Sequence, residues 1–213
     1  MNILEVKELS IRFGGVKAVQ DVSLSVKTDS ITSIIGPNGA GKTTFFNLIS
    51  GVYAPTSGQI LFDGQDISGL KQHQISLLGI SRTFQNIRLF NQLSILENVQ
   101  SAMDARATYN LLDSIMTTPK KRRIDRENRE KSLEYLRLVG LEKNGQDKPG
   151  SLPYGMQRKV ELARALASEP KLLLLDEPAA GLNPTEVEEF IRLIHKIKET
   201  FHISILLIEH RLQ

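Results

Sequence analysis

Nine consecutive residues, Gly36-Pro37-Asn38-Gly39-Ala40-Gly41-Lys42-Thr43-Thr44, come directly after the apolar run Ile31-Thr32-Ser33-Ile34-Ile35. Few short segments restrict a fold so tightly. The pattern G-x-x-x-x-G-K-[ST] predicts a buried strand, a loop at its carboxyl end and a helix beginning near Lys42. Gly36, Gly39 and Gly41 open backbone conformations closed to residues with a side chain. The loop N–H groups can then turn inward and cradle phosphate oxygens, and the helix adds the positive end of its dipole. Lys42 supplies a full charge toward a β- and γ-phosphate, and the Thr43 hydroxyl is placed to ligate Mg2+. Strand, loop, Lys-Thr pair and helix fall in order, which argues against a chance glycine turn.

At 213 residues the chain can bury one substantial core with a satellite subdomain. Its content of 40% hydrophobic and 24% charged residues is that of a globular protein. Cysteine is absent, so no disulfide framework contributes and a reducing compartment suits the composition. No apolar stretch reaches bilayer-spanning length, and Met1-Asn2-Ile3-Leu4-Glu5-Val6-Lys7 lacks the basic-then-apolar plan of a signal peptide. The expectation is a cytosolic chain that meets a membrane only through partners. A net charge of +3 is too small to argue for nucleic acid. The basic run Lys120-Lys121-Arg122-Arg123, continued by Arg126, Arg129 and Lys131, is interleaved with Asp125, Glu127 and Glu130. That mixture reads as a solvated helix start carrying i,i+4 pairs rather than a binding patch.

Ile3 to Val6, Ile11 to Phe13 and Val22 to Val26 read as short strands of an antiparallel sheet, with Gly14-Gly15 as a turn. Gln59 to Phe62 is another strand, ended by the hairpin signal Asp63-Gly64. From about Leu93 to Leu141 the pattern becomes helical and polar, with Ile95, Val99 and Met103 on one helix face and Leu133 and Leu136 on another. Leu172-Leu173-Leu174-Leu175 is a fully apolar short strand, as in a parallel sheet covered on both faces. Val187, Phe190, Ile191, Ile194 and Ile197 form a helical stripe, and Ile203 to Ile208 a second buried strand. Strand, helix and strand at this spacing predict a right-handed crossover unit.

Asp176-Glu177 closes the four-leucine strand, and ligands of open α/β sheets lie at the carboxyl ends of strands. Two adjacent carboxylates there call for a cation or a reacting water. Asp176 then reads as the Mg2+ carboxylate, acting through water, and Glu177 as the group that polarises a water against the γ-phosphate. With these motifs in place, the chain resembles the ATP-binding cassette of ABC transporters along essentially its whole length. Within that family it is most similar to the ATPase subunits of branched-chain amino acid importers. The resemblance implies an α/β fold: a P-loop NTPase (RecA-like) core over 1–85 and 166–213 with an N-terminal antiparallel β layer, and an inserted α-helical subdomain over 86–165.

The resemblance also implies roles. Phe13 stands at the aromatic position that stacks on adenine, with Val16 beside it. Gly36, Pro37, Asn38, Gly39, Ala40, Gly41, Lys42, Thr43 and Thr44 would hold the phosphates, and Thr43, Gln85 and Asp176 would ligate Mg2+. Glu177 would be the catalytic base, with Lys42, Gln85 and the switch histidine His210 completing the site. Ser151-Leu152-Pro153-Tyr154-Gly155-Met156-Gln157 occupies the signature position. There Pro153, Gly155 and Met156 would face, in trans, the nucleotide of a second cassette. ATP binding would close the pair and hydrolysis release it. The implied cofactors are ATP and Mg2+. The implied partners are a second cassette (identical or not), two transmembrane permease subunits and, indirectly, a periplasmic or extracellular substrate-binding protein, with no nucleic acid. A coupling helix of each permease subunit would dock near Gln85 and Glu97-Asn98-Val99. The expected location is the cytoplasmic side of the inner (plasma) membrane, held peripherally.

Several positions depart from the family pattern. The usual signature is Leu-Ser-Gly-Gly-Gln; Pro153 removes the serine hydroxyl, Tyr154 replaces a glycine and Met156 the glutamine. Asn183 stands where many cassettes carry an aspartate. The sequence ends at Arg211-Leu212-Gln213, where family members continue, so Ile203 to Ile208 is expected to form an exposed edge strand. Three rival functions share these motifs. One is the ATPase of a lipid or lipopolysaccharide exporter, against which Gly79 to Phe90 resembles the importer group. Another is a shortened cassette that binds ATP without turning it over. The third is a clamp acting on ribosomes or DNA, which typically carries tandem cassettes or long coiled coils. The cargo is not written in a cassette, which never touches it.

Overall fold

The computed structural model describes residues 1–104 and 119–209. Two compact units emerge: Met1–Gln85 with Pro170–Ala180 and the chain from Val187 on, and Asn86–Glu169 with Gly181–Glu186.

The first unit holds two sheets. One is antiparallel, in the order β2-β1-β4-β5, from β1 (Asn2–Phe13), β2 (Val16–Lys27), β4 (Ser57–Phe62) and β5 (Gln65–Asp66). The other is parallel, in the order β3-β8-β7-β6, from β3 (Ile31–Ile35), β6 (Ile80–Arg82), β7 (Leu172–Asp176) and β8 (Ser204–Glu209). Helix α1 (Lys42–Ile49) lies between them and buries Phe45, Phe46, Leu48 and Ile49. Its residues share one core with Leu4, Leu9, Ile60 and Phe62 of the first sheet and Leu172, Leu174, Leu206 and Ile208 of the second. The short helix α2 (Gln72–Leu78) leads into β6.

Local alternation misjudged the first two strands. β1 is continuous because Glu8 takes a left-handed conformation (φ 46°) and shifts the register between Val6 and Leu9. Such a bulge breaks the period in sequence while Val6, Leu9 and Ile11 all stay buried. β2 begins at Val16, well before Val22, because pairing to β1 makes it a strand although most of it is exposed. The Asp63-Gly64 hairpin forms as read: both residues have positive φ, and Phe62 faces Gln65.

The expected exposed edge at Ile203 to Ile208 does not occur. β8 is inserted between β3 and β7 and pairs with both, so among the described residues β3 and β6 are the sheet edges. Helix α6 (Pro184–Phe201) joins β7 to β8 and buries Val187, Phe190, Ile194 and Ile197. Ile191 is 42% exposed, because one residue past Phe190 the helix has turned about 100° from that face.

In the second unit, α3 (Ile95–Asp104), α4 (Pro119–Leu138) and α5 (Tyr154–Ala167) bury Ile95, Leu96, Val99 and Met103 with Tyr135, Leu136, Val160 and Leu166. The basic start of α4 is solvated and carries an i,i+4 pair, Arg123 to Glu127 at 3.5 Å. α3 opens with a capping box: Ser94 N–H donates to Glu97 Oε2 (2.6 Å) and Glu97 N–H to Ser94 Oγ (3.2 Å). The Ser94 N–H, with the Ser94 hydroxyl second, lowers the Glu97 pKa below its ordinary value.

Candidate functional site

Because β3, β8, β7 and β6 run parallel, their carboxyl ends share one edge of the sheet. The sequence places polar residues just there. The loop from Gly36 to Gly41 leaves β3 and enters α1, whose first turn has no acidic residue to offset its dipole. Gly39 and Gly41 have φ of 79° and 83°. A Cβ on Gly41 would sit 2.3 Å from the Ala18 carbonyl oxygen of β2, so the loop lies against that strand too closely for any other residue. Lys42 is 8% exposed, and its Nζ donates to the carbonyls of Gly36 (2.6 Å) and Pro37 (2.9 Å). Thr43 is exposed and Thr44 half-buried on the first turn.

Asp176 ends β7 and is 1% exposed. Its Oδ2 accepts from Arg82 Nη2 at 2.7 Å, while Oδ1 is buried and finds no donor among the described residues. An unsatisfied acceptor costs at least about 1–3 kcal/mol, and a hard carboxylate oxygen in that position suits Mg2+. Among the described residues no group of three or more acidic or histidine side chains is placed to hold a metal ion. This ion typically takes one or two carboxylates and completes its shell with phosphate and water, so the residues fit it. Glu177, 7% exposed with φ 50°, accepts from Gln85 Nε2 at 2.8 Å through Oε2. Two residues picked separately in the sequence are thus in direct contact.

Phe13 ends β1 at 44% exposure, with its ring edge-on to Tyr53 (centroids 5.1 Å apart, 72° between planes). That exposure argues against a core role. Val16, its cross-strand neighbour, is 67% exposed. His210 lies outside the described residues.

In the second unit, Pro153 caps α5, and Tyr154 and Met156 are 43% and 40% exposed. Gly155 has no room for a side chain: a Cβ would lie 2.9 Å from Glu186 Oε1. Glu186 is held by Asn183 in a reciprocal cap, Asn183 N–H to Glu186 Oε2 (2.9 Å) and Glu186 N–H to Asn183 Oδ1 (3.0 Å). Asn183 thus serves as the N-cap of α6. Arg158 forms a buried pair with Glu161 (3.2 Å) and donates to the Tyr154 hydroxyl (2.9 Å). Of the residues beside the expected docking position, two are turned inward. Asn98 and Val99 are fully buried, and Asn98 staples the preceding loop by accepting from Phe90 N–H (2.8 Å) and donating to the Phe90 (3.1 Å) and Ser94 (2.9 Å) carbonyls. Of the three, Glu97 alone is exposed.

Sequence reasoning passed over Arg82, Tyr53 and the Arg158–Glu161 pair. The sequence offered little for Arg82, a cation ending the short run Ile80-Ser81; its place opposite Leu174, two residues before Asp176, is a tertiary fact.

A glycine-rich loop at the end of one parallel strand and an acidic pair at the end of another define a P-loop NTPase. Residues 19–180 match the ABC transporter family, and the chain belongs to it. It is 45% identical over 208 residues to the high-affinity branched-chain amino acid transport ATP-binding protein BraF of Pseudomonas aeruginosa, covering 98% of this chain and 82% of that protein. It is 34% identical to the lipopolysaccharide export system ATP-binding protein LptB of Haemophilus influenzae, covering 100% of this chain and 82% of that one. Among solved structures it is similar to the ADP conformation of MJ1267, an ATP-binding cassette of an ABC transporter, with a TM-score of 0.85 and 31% identity over 100% of this chain and 83% of that chain. Among the described residues, no helix is long and apolar enough to cross a membrane.

Proposed function

We propose that this chain binds and hydrolyses ATP as the energising subunit of an importer for branched-chain or other hydrophobic amino acids. The observation that carries the chemistry is the shared sheet edge, where Asp176 ends β7 and the phosphate loop and the Gln85–Glu177 pair follow the ends of their strands. Lys42 and the loop amides bind the β- and γ-phosphates, and Phe13 with Val16 receives the base. Thr43, Gln85 and Asp176 would hold Mg2+, which when bound neutralises charge on the phosphates. Glu177 orients a water and takes its proton, a role worth roughly 10²–10⁴ in rate. In this reading Pro153, Gly155 and Met156 face, in trans, a phosphate on a second cassette, where the Gly155 N–H in the first turn of α5 would donate, since Pro153 offers neither an N–H nor a hydroxyl. His210 completes the site in this reading. The two permease subunits, the binding protein beyond them and a peripheral position on the inner face of the membrane belong to this reading, which membership of the transporter family supports.

The greater identity to the amino acid importer subunit than to the lipopolysaccharide export subunit favours import. In cells bearing the chain with its permease subunits, deletion is expected to abolish uptake of labelled leucine, isoleucine and valine. A Glu177→Gln copy should bind ATP but fail to restore uptake. Unchanged uptake with less lipopolysaccharide at the cell surface would replace the importer by the exporter.

A further inference from the structure

Arg82 has a side chain 5% exposed and gathers three elements around one guanidinium. Nη1 donates to Asn47 Oδ1 (2.7 Å) and Ser50 Oγ (3.0 Å) of and just after α1, and Nη2 to Asp176 Oδ2 (2.7 Å) of β7. Its Cζ lies over the rings of Phe46 and Phe84, at 5.6 and 5.0 Å from their centroids. Two ring contacts and two anchors on Nη1 fix the direction in which Nη2 donates. A carboxylate free to rotate would exchange its two oxygens. Here Oδ2 is committed, and Oδ1 remains buried with no donor among the described residues.

We propose that Arg82 is a positioning residue: it clamps Oδ2 of Asp176 so that Oδ1 alone serves the Mg2+ shell, and thereby sets the Mg2+ affinity of the nucleotide complex. The proposal rests on the reading of Asp176 as the metal-side carboxylate. Lysine cannot substitute: a single ammonium carries the charge but not the planar fork that holds three partners at once. Partners that orient metal ligands typically contribute 10–100-fold to metal affinity.

The test measures binding of a trinitrophenyl analogue of ATP to the whole chain, first in EDTA and then across a Mg2+ titration. Arg82→Lys and Arg82→Gln are expected to raise the Mg2+ midpoint by about 10–100-fold and to leave the EDTA affinity unchanged. Asn47→Ala removes one anchor and keeps the ion pair; it should shift the midpoint the same way by less, and it carries the test if the Arg82 variants do not fold. Asp176→Asn is the control for the site itself. Unchanged midpoints in the Arg82 and Asn47 variants, beside a raised midpoint in Asp176→Asn, would overturn the role of Arg82 and leave the metal site standing. A loss of EDTA affinity equal to the loss with Mg2+ would also overturn it, because Arg82 would then act on the loop. An unchanged midpoint in Asp176→Asn would remove the metal reading and the proposal with it.

Discussion

Gly39 and Gly41 offer a controlled pair of substitutions within one loop. Their φ angles are nearly equal, 79° and 83°, so alanine at either meets the same left-handed penalty of about 1–2 kcal/mol. The surroundings differ. A Cβ at Gly39 meets nothing within 4 Å, while one at Gly41 comes within 2.3 Å of Ala18 O and 3.4 Å of Ala18 C. That oxygen belongs to β2, which pairs along β1, so the strand resists movement and the loop must lift by roughly 1 Å to restore ordinary contact. Gly39→Ala should therefore lose about 1–2 kcal/mol of stability, a drop of roughly 2–8 °C in Tm for a chain of this size, and Gly41→Ala at least as much. A misplacement of about 1 Å can cost on the order of 10²-fold where geometry matters. Calorimetric titration with ATP should show Gly41→Ala weakened by about that factor and Gly39→Ala far less. Equal affinities in the two variants would refute the claim that the contact with Ala18 sets the loop's position.

Phe13→Ala should weaken ATP by about 1–3 kcal/mol, the usual worth of a base stacked on an aromatic ring, and leave inorganic triphosphate binding intact; equal losses for both ligands would mean a folding effect. Lys42→Ala should lower ATP affinity about 10–100-fold, matching the roughly 1.5–3 kcal/mol net value of a hydrogen bond to a charged group; unchanged affinity in the same titration would contradict the phosphate-loop assignment. Glu97→Gln tests the α3 cap through pH. The folded pKa of Glu97 lies below its ordinary value of 4.5, so its stabilisation is present above that value and disappears as pH falls through the folded pKa. The Tm gap between the native chain and the variant should be open at pH 7 and close on acidification; a gap independent of pH would refute the linkage.

Legibility divided along physical lines. The phosphate loop and the Asp176-Glu177 strand end could be read because each is local: backbone geometry selects the glycines, and double-sided burial selects four leucines. The Asp63-Gly64 hairpin was legible for the same reason. The place of β8 was not, because strand order is a non-local outcome, and only the assembled sheet puts the last strand between β3 and β7. The bulge at Glu8 hid the length of β1, since periodicity cannot distinguish an inserted residue from a strand end. At the site, Gln85 was reached through resemblance alone, and its bond to Glu177 is a tertiary fact. Arg82 went unread because its meaning lies in partners far along the chain, Asn47, Ser50 and Asp176. Asn98 was named only for the docking position that the resemblance implied; its place inside the fold as a loop staple is a tertiary fact.

The polar groups of the site are not waiting in open water; most are bound to one another. Lys42 is held by two loop carbonyls, and Glu177 by Gln85. In the proposed reading, an arriving triphosphate must exchange these bonds for its own, so each contact contributes only the difference between the old partner and the new. That explains why Lys42 is expected to contribute about 1.5–3 kcal/mol and not the larger Coulomb energy of a bare pair at low dielectric. It also separates two kinds of group. Lys42, Gln85 and Glu177 hold partners they can give up. Arg82, packed against two rings and bonded to Asn47, Ser50 and Asp176, is built to stay. A site that exchanges some bonds while one cation stays fixed can bind and release the same ligand repeatedly without losing the geometry of its metal-side carboxylate.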